Sequence, residues 1–75
     1  MKKYVEISTE YITLGQFLKL ADVIDTGGMA KWFLSEHTIH VNDELENRRG
    51  RKLIHGDTVV IEKFGTFGVK SSIHS

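Results

Sequence analysis

Two short apolar stripes separated by a glycine pair constrain this chain more than any other feature. Leu14, Phe17, Leu18 and Ala21 fall at i, i+3, i+4 and i+7, the spacing that lines one face of a helix. The run Thr13-Leu14-Gly15-Gln16 places a threonine and a glutamine three residues apart, as a capping box at that helix's start requires. Asp25-Thr26-Gly27-Gly28 then breaks the pattern. Ala30, Phe33 and Leu34 restore it, flanked by Met29 and Trp32, which predicts a second helix from roughly Gly28 to Glu36. Two short helices with a tight connection make a helical hairpin.

Around the hairpin the period changes to two. Val5 and Ile7 alternate with Tyr4, Glu6 and Ser8, so 3–8 is a strand with one buried face. Ile39 and Val41 alternate with Thr38 and His40 in the same way. Asn42-Asp43 is a turn pair that tolerates left-handed backbone, and Leu45 lies on a short returning strand at best. Leu53 and Ile54 resume apolar packing, His55-Gly56-Asp57 turns the chain, and 58–62 is the clearest strand. Residues 64–69 read as an edge strand, and 70–75 as a fraying tail. The expected fold is small α+β, with the helical hairpin packed on a short, mainly antiparallel sheet. All 75 residues form a single domain.

Charge is where the chain is unusual. Its formal net charge is zero, yet residues 1–47 carry a balance of −4 and residues 48–75 a balance of +4. All three arginines lie within Arg48-Arg49-Gly50-Arg51-Lys52. A neutral protein that binds a polyanion must gather its positive charge in one place. Guanidinium groups are planar forks that match a phosphate bidentately. The alternative is a solvated loop that is basic by accident. Glu44 and Glu46 adjoin the run and would share one strand face, placed to orient or screen the arginines.

A second candidate lies between the helices. Thr26 is placed to cap the second helix, and Gly27 and Gly28 bare its first N–H groups, with Lys31 one turn on. That is an anion site, or else two glycines making a tight turn. Other chemistries fit less well. With no cysteine there is no disulfide framework, thiol nucleophile or thiolate metal site. His37, His40, His55 and His74 share no metal-binding spacing, and no serine sits in a nucleophile elbow. No catalytic residue, metal, cofactor or small-molecule substrate is expected. No apolar run approaches the ~18 residues of a membrane span, and the start has no apolar signal core, so a cytoplasmic location is expected. Trp32, Phe64 and Phe67 are either stacking platforms or edges of a small core.

Taken in order, the hairpin, the strand ending Ile39-His40-Val41-Asn42 and the approach His55-Gly56-Asp57-Thr58-Val59 to a later strand resemble the RNA-binding domain named after small-subunit ribosomal protein S4, also called the alpha-L motif. The resemblance covers about residues 12–62. Thr26-Gly27-Gly28-Met29-Ala30-Lys31, Asn42-Asp43-Glu44 and Glu46-Asn47-Arg48-Arg49-Gly50-Arg51-Lys52-Leu53 are similar to small stand-alone bacterial members that carry no catalytic domain. The resemblance implies binding of structured RNA, ribosomal RNA above all, by a monomer. It implies contacts from Thr26, Gly27, Gly28, Lys31, Asn42, Arg48, Arg49, Arg51 and Lys52. Thr13 stands where many members have arginine, Gly27-Gly28 where many have Ser-Arg, and Asp43 where the usual turn has glycine. RNA affinity must then rest on Lys31 and the arginine run. The rival expectation is a protein adaptor, with Trp32, Phe64 and Phe67 forming the partner patch and the arginines meeting an acidic surface.

Overall fold

The computed structural model describes residues 2–73. Along the chain run β1 (Lys2–Ile7), β2 (Tyr11–Thr13), α1 (Leu14–Leu20), a 3-10 turn (Gly27–Met29), α2 (Ala30–Glu36), β3 (Ile39–Val41), β4 (Glu44–Leu45), β5 (Lys52–Ile54), β6 (Thr58–Ile61) and β7 (Gly65–Ser71). Five strands form one sheet in the order β1-β7-β6-β3-β4, and β2 pairs with β5 in a separate two-stranded ladder. Among the described residues only β1 and β7 run parallel; the other pairings are antiparallel.

One face of the large sheet carries the core. Val41, Val59 and Phe67 stand in one row across β3, β6 and β7, and the neighbouring row His40, Val60 and Thr66 points the other way. Leu14, Phe17 and Leu18 of α1 and Ala30, Phe33 and Leu34 of α2 close over the inward rows in a single buried cluster. Phe17 meets Phe67 edge to face, with ring centroids 6.1 Å apart. The apolar stripes of both helices are therefore buried as their spacing requires.

The capping box forms: the Thr13 hydroxyl accepts from the Gln16 N–H, and the Gln16 side chain accepts from the Thr13 N–H. At its other end α1 stops at Asp22, which takes a left-handed φ of 66°. The Val23 N–H donates to the Leu18 carbonyl and the Asp22 N–H to the Lys19 carbonyl, a Schellman closure. Asn42 and Asp43 are left-handed as their turn demands, with φ of 51° and 70°.

Several expectations are corrected. The second helix begins as a 3-10 turn at Gly27 and becomes α only at Ala30, and the Thr26 side chain makes no capping bond. The final strand is not an edge: β7 lies between β1 and β6 and runs on through Ser71, which is buried. Fraying at 70–71 is thus excluded, and residues 74–75 lie outside the described residues. Ile54 faces solvent rather than the core. Tyr11–Thr13 forms a strand that periodicity did not reveal, because three residues carry too little pattern.

Candidate nucleic-acid interface

The arginine run is a loop between β4 and β5, and α1 holds it. A helix start leaves N–H groups without intrahelical partners. Here the Leu14 N–H donates to the Arg51 carbonyl at 2.8 Å, and the Gly15 N–H donates to the Arg49 carbonyl at 2.9 Å. The ladder of β2 on β5 leads into this docking, with Thr13 opposite Lys52. Gly15 permits the approach: a Cβ there would lie 3.3 Å from the Ala30 Cβ and 3.5 Å from both Cβ and O of Arg49. Helix α1, helix α2 and the basic loop therefore meet at one residue that has no side chain. Within the loop, the Arg51 N–H donates to the Arg48 carbonyl at 3.2 Å and closes a tight turn.

The four cationic side chains of the run, three in the loop and Lys52 at the start of β5, divide into two kinds. Arg48 and Arg51 clamp Glu46. Arg48 donates to Glu46 Oε2 through Nε at 2.9 Å and to Oε1 through Nη2 at 3.2 Å, and its backbone N–H donates to Oε2 at 3.1 Å. Arg51 Nη1 donates to Oε1 at 2.8 Å. Glu46 is only 5% exposed, while the Arg48 side chain is 75% exposed and that of Arg51 27%. The bidentate bond from Arg48 dominates over the cost of burial, and with Arg51 it lowers the Glu46 carboxyl from its usual 4.5 to about 2. Arg49 and Lys52 are exposed and form no ion pair among the described residues; the Lys52 ammonium lies 4.8 Å from the centre of the Tyr11 ring.

Of the two glutamates expected beside the arginines, Glu46 alone engages them. It lies beyond β4 and is buried, so the two do not share a strand face.

Two grooves flank the loop. One, of about 250 Å³, is lined by Thr13, Gly15, Gln16, Gly27, Ala30, Arg49 and Gly50. The other, of about 480 Å³, is lined by Arg48, Gly50, Arg51 and Lys52. Gly27, at the start of the second helix, and the arginine loop were separate features of the sequence, and the fold sets them on one groove. Thr26 and Gly28 adjoin Gly27 and are exposed, and Lys31 is exposed on the first turn of α2. No acidic residue occupies the first turn of either helical segment there.

Asn42 serves the fold. Its Nδ2 donates to Asp57 Oδ1 at 3.0 Å and its Oδ1 accepts from the Thr58 N–H at 2.9 Å, tying two turns together. Phe67 is 5% exposed and is removed from the expected partner patch, whereas Trp32 and Phe64 remain exposed. Phe64 also packs near Phe33 and His37. Gly15 is the site residue that sequence reasoning missed in role, whereas Glu46 takes the orienting role expected of it. The signal for Gly15 was a glycine inside a capping box, where a helix former would otherwise be expected.

The S4 domain family model matches residues 5–70. This chain belongs to the S4 domain family. It is also 70% identical, over 69 residues, to a protein of Bacillus subtilis (strain 168) named "Probable ribosome maturation protein RlbA"; the match covers 92% of this chain and 97% of that relative. The S4 domain is an RNA-binding module without catalytic function. Where many S4 domains begin the first helix with arginine, this one has Thr13, which caps α1 while the next two residues, Leu14 and Gly15, hold the loop that supplies its arginines.

Proposed function

We propose that this S4 domain protein binds ribosomal RNA through phosphates along the two grooves beside the arginine loop, as a monomeric cytoplasmic factor in ribosome maturation. The observation that carries this reading is the convergence of Gly27, Gly15, Arg49 and Gly50 on one groove, beside a second groove rimmed by Arg48, Arg51 and Lys52. Arg49, Lys52 and Lys31 supply charge that no acid among the described residues neutralises. Arg48 and Arg51 supply guanidinium donors already fixed by Glu46, so little rotamer freedom is lost when a phosphate arrives. Gly27 forms the groove's far lip, with the exposed Thr26 and Gly28 on either side of it. Asn42, exposed on the β3–β4 turn and fixed there by Asp57 and Thr58, is a further contact of this surface. Structured RNA is read here by shape and backbone, because side chains do not enter the deep groove of an A-form helix.

The name of the Bacillus relative supports the ribosomal assignment, and the net charge of zero supports a focused rather than diffuse contact. Crosslinking in cells followed by sequencing of the bound RNA tests it. Ribosomal RNA, with immature precursors enriched over mature species, is the expected yield. Recovery of RNA in proportion to its cellular abundance would overturn the ribosomal assignment.

A further inference from the structure

The helices cover one face of the five-stranded sheet and leave the other open, and the open face has a site of its own. Lys2 and Tyr4 on β1, Val69 and Lys70 on β7, and His55-Gly56 between β5 and β6 line an open concavity of about 350 Å³. None of these residues lines either groove at the arginine loop. The turn is fixed to the strand beside it: the Gly56 N–H donates to the Val69 carbonyl, and the Val69 N–H to the Asp57 carbonyl. The His55 ring is held as well, since its Nδ1 accepts the Ser71 N–H at 3.0 Å.

Tyr4 stands opposite Gly68 in the parallel ladder. A Cβ on Gly68 would lie 2.8 Å from the Tyr4 ring and 2.8 Å from Lys2 Cε, well inside the ~3.5–4.0 Å of carbon contact. Gly68 does not have a positive φ. Its missing side chain therefore serves the ring above it, not the backbone. A ring over a strand glycine shields the sheet, and that much is structural. Shielding leaves two facts unexplained. Tyr4 keeps 66% of its surface exposed. Cations also gather around it: the Lys2 ammonium lies 5.4 Å from the ring centre and is steadied by the Thr58 hydroxyl at 3.0 Å, and Lys70 borders the same concavity. Among the described residues, neither Lys2 nor Lys70 forms an ion pair.

We propose that this concavity takes an unpaired nucleotide of an RNA strand, with the base stacked on Tyr4 and the adjoining phosphates beside Lys2 and Lys70. An aromatic face flanked by unneutralised cations matches a base joined to phosphates. It does not match a duplex, whose base faces are stacked inside the helix. The proposal extends RNA binding to a second surface and does not depend on the arginine loop. A single RNA with a paired region and an unpaired tail could then touch both.

The test compares a labelled octauridine with a fully paired RNA hairpin. Tyr4→Leu keeps an apolar cover on Gly68 and removes the π-face. It should weaken octauridine binding roughly 5- to 150-fold and leave hairpin binding unchanged. Tyr4→Phe should stay within about twofold of wild type. Arg49→Ala with Lys52→Met should give the opposite pattern, losing the hairpin and keeping octauridine. In the wild-type protein, octauridine should shift the NMR signals of the Tyr4 ring and the Gly68 amide. Absent octauridine binding, equal binding by Tyr4→Leu, or shifts confined to 48–52 would each overturn this proposal while leaving the arginine-loop reading intact. Wild-type protein that binds octauridine but not the hairpin would overturn that reading and not this one.

Discussion

Glu44 and Glu46 are two residues apart and chemically identical, yet only Glu46 is taken out of water. The difference lies in what the chain does next. The tight turn at Arg48–Arg51 folds two guanidinium groups back onto Glu46, so its carboxylate is met by donors on both oxygens. This makes Glu46 the acid-sensitive point of the loop. Its folded pKa, about 2, lies below its ordinary 4.5, so the folded state binds its proton less readily than the unfolded chain does. The stability it contributes is fully present above the ordinary value and is lost as pH falls from about 4.5 toward about 2. Melting curves recorded down this range should fall more steeply for wild type than for Glu46→Gln, which has no proton to take up there. Glu46→Gln should also melt earlier than wild type at pH 7. Parallel acid slopes for the two proteins would show that Glu46 is not the group responsible.

Helix α1 links fold and surface at the next scale. Its first turn caps itself through Thr13 and Gln16 and spends its remaining orphan donors on the carbonyls of Arg49 and Arg51. Thr13→Ala removes the cap and should cost about 1 kcal/mol, read as a fall of roughly 4–8 °C in Tm for a domain of this size. An unchanged Tm would mean that the loop contacts hold the helix start without the capping box. Gly15→Val is the sharper change, because two γ-methyls must enter where even a Cβ sits 3.3 Å from Ala30. Overpacking of this kind typically costs about 1–3 kcal/mol, and here it pushes directly on the arginine loop. Stability and hairpin-RNA affinity should therefore decline together; a drop in one alone would separate the helix from the site. The sequence announced this helix well, since a capping box and four apolar residues at helical spacing are local signals. It announced the contact with the loop poorly. Leu14 and Gly15 bond to carbonyls more than thirty residues away, through backbone groups that every residue possesses. That Glu46 orients the arginines was legible from its place beside them; its burial was not, because that depends on a turn that forms later in the chain. The interior place of β7 escaped notice because its parallel partner, β1, lies at the opposite end of the sequence, and no periodicity encodes which strands become neighbours.

Over the whole molecule, pairing β1 with β7 sets the first and last strands side by side and leaves the arginine loop as a separate basic surface. A chain of net charge zero with halves of −4 and +4 should bind RNA by a few localised contacts, not through a general field. Salt dependence reads that number directly, because each phosphate contact releases condensed counterions. The variant must spare the clamp, since removing Arg48 or Arg51 also strips a partner from buried Glu46 and confuses binding with stability. Arg49→Ala with Lys52→Met meets this need: Arg49 has no ion pair among the described residues, and methionine keeps a chain over the Tyr11 ring. Between about 50 and 200 mM salt, the slope of log affinity against log salt for a paired RNA hairpin should flatten by roughly one to two units. Affinity at low salt should fall about 10- to 100-fold, while Tm stays close to wild type because exposed charges contribute little to folding. If the double variant melts normally and binds with an undiminished slope, the phosphates lie elsewhere on the molecule and the arginine loop is only a brace for the start of α1.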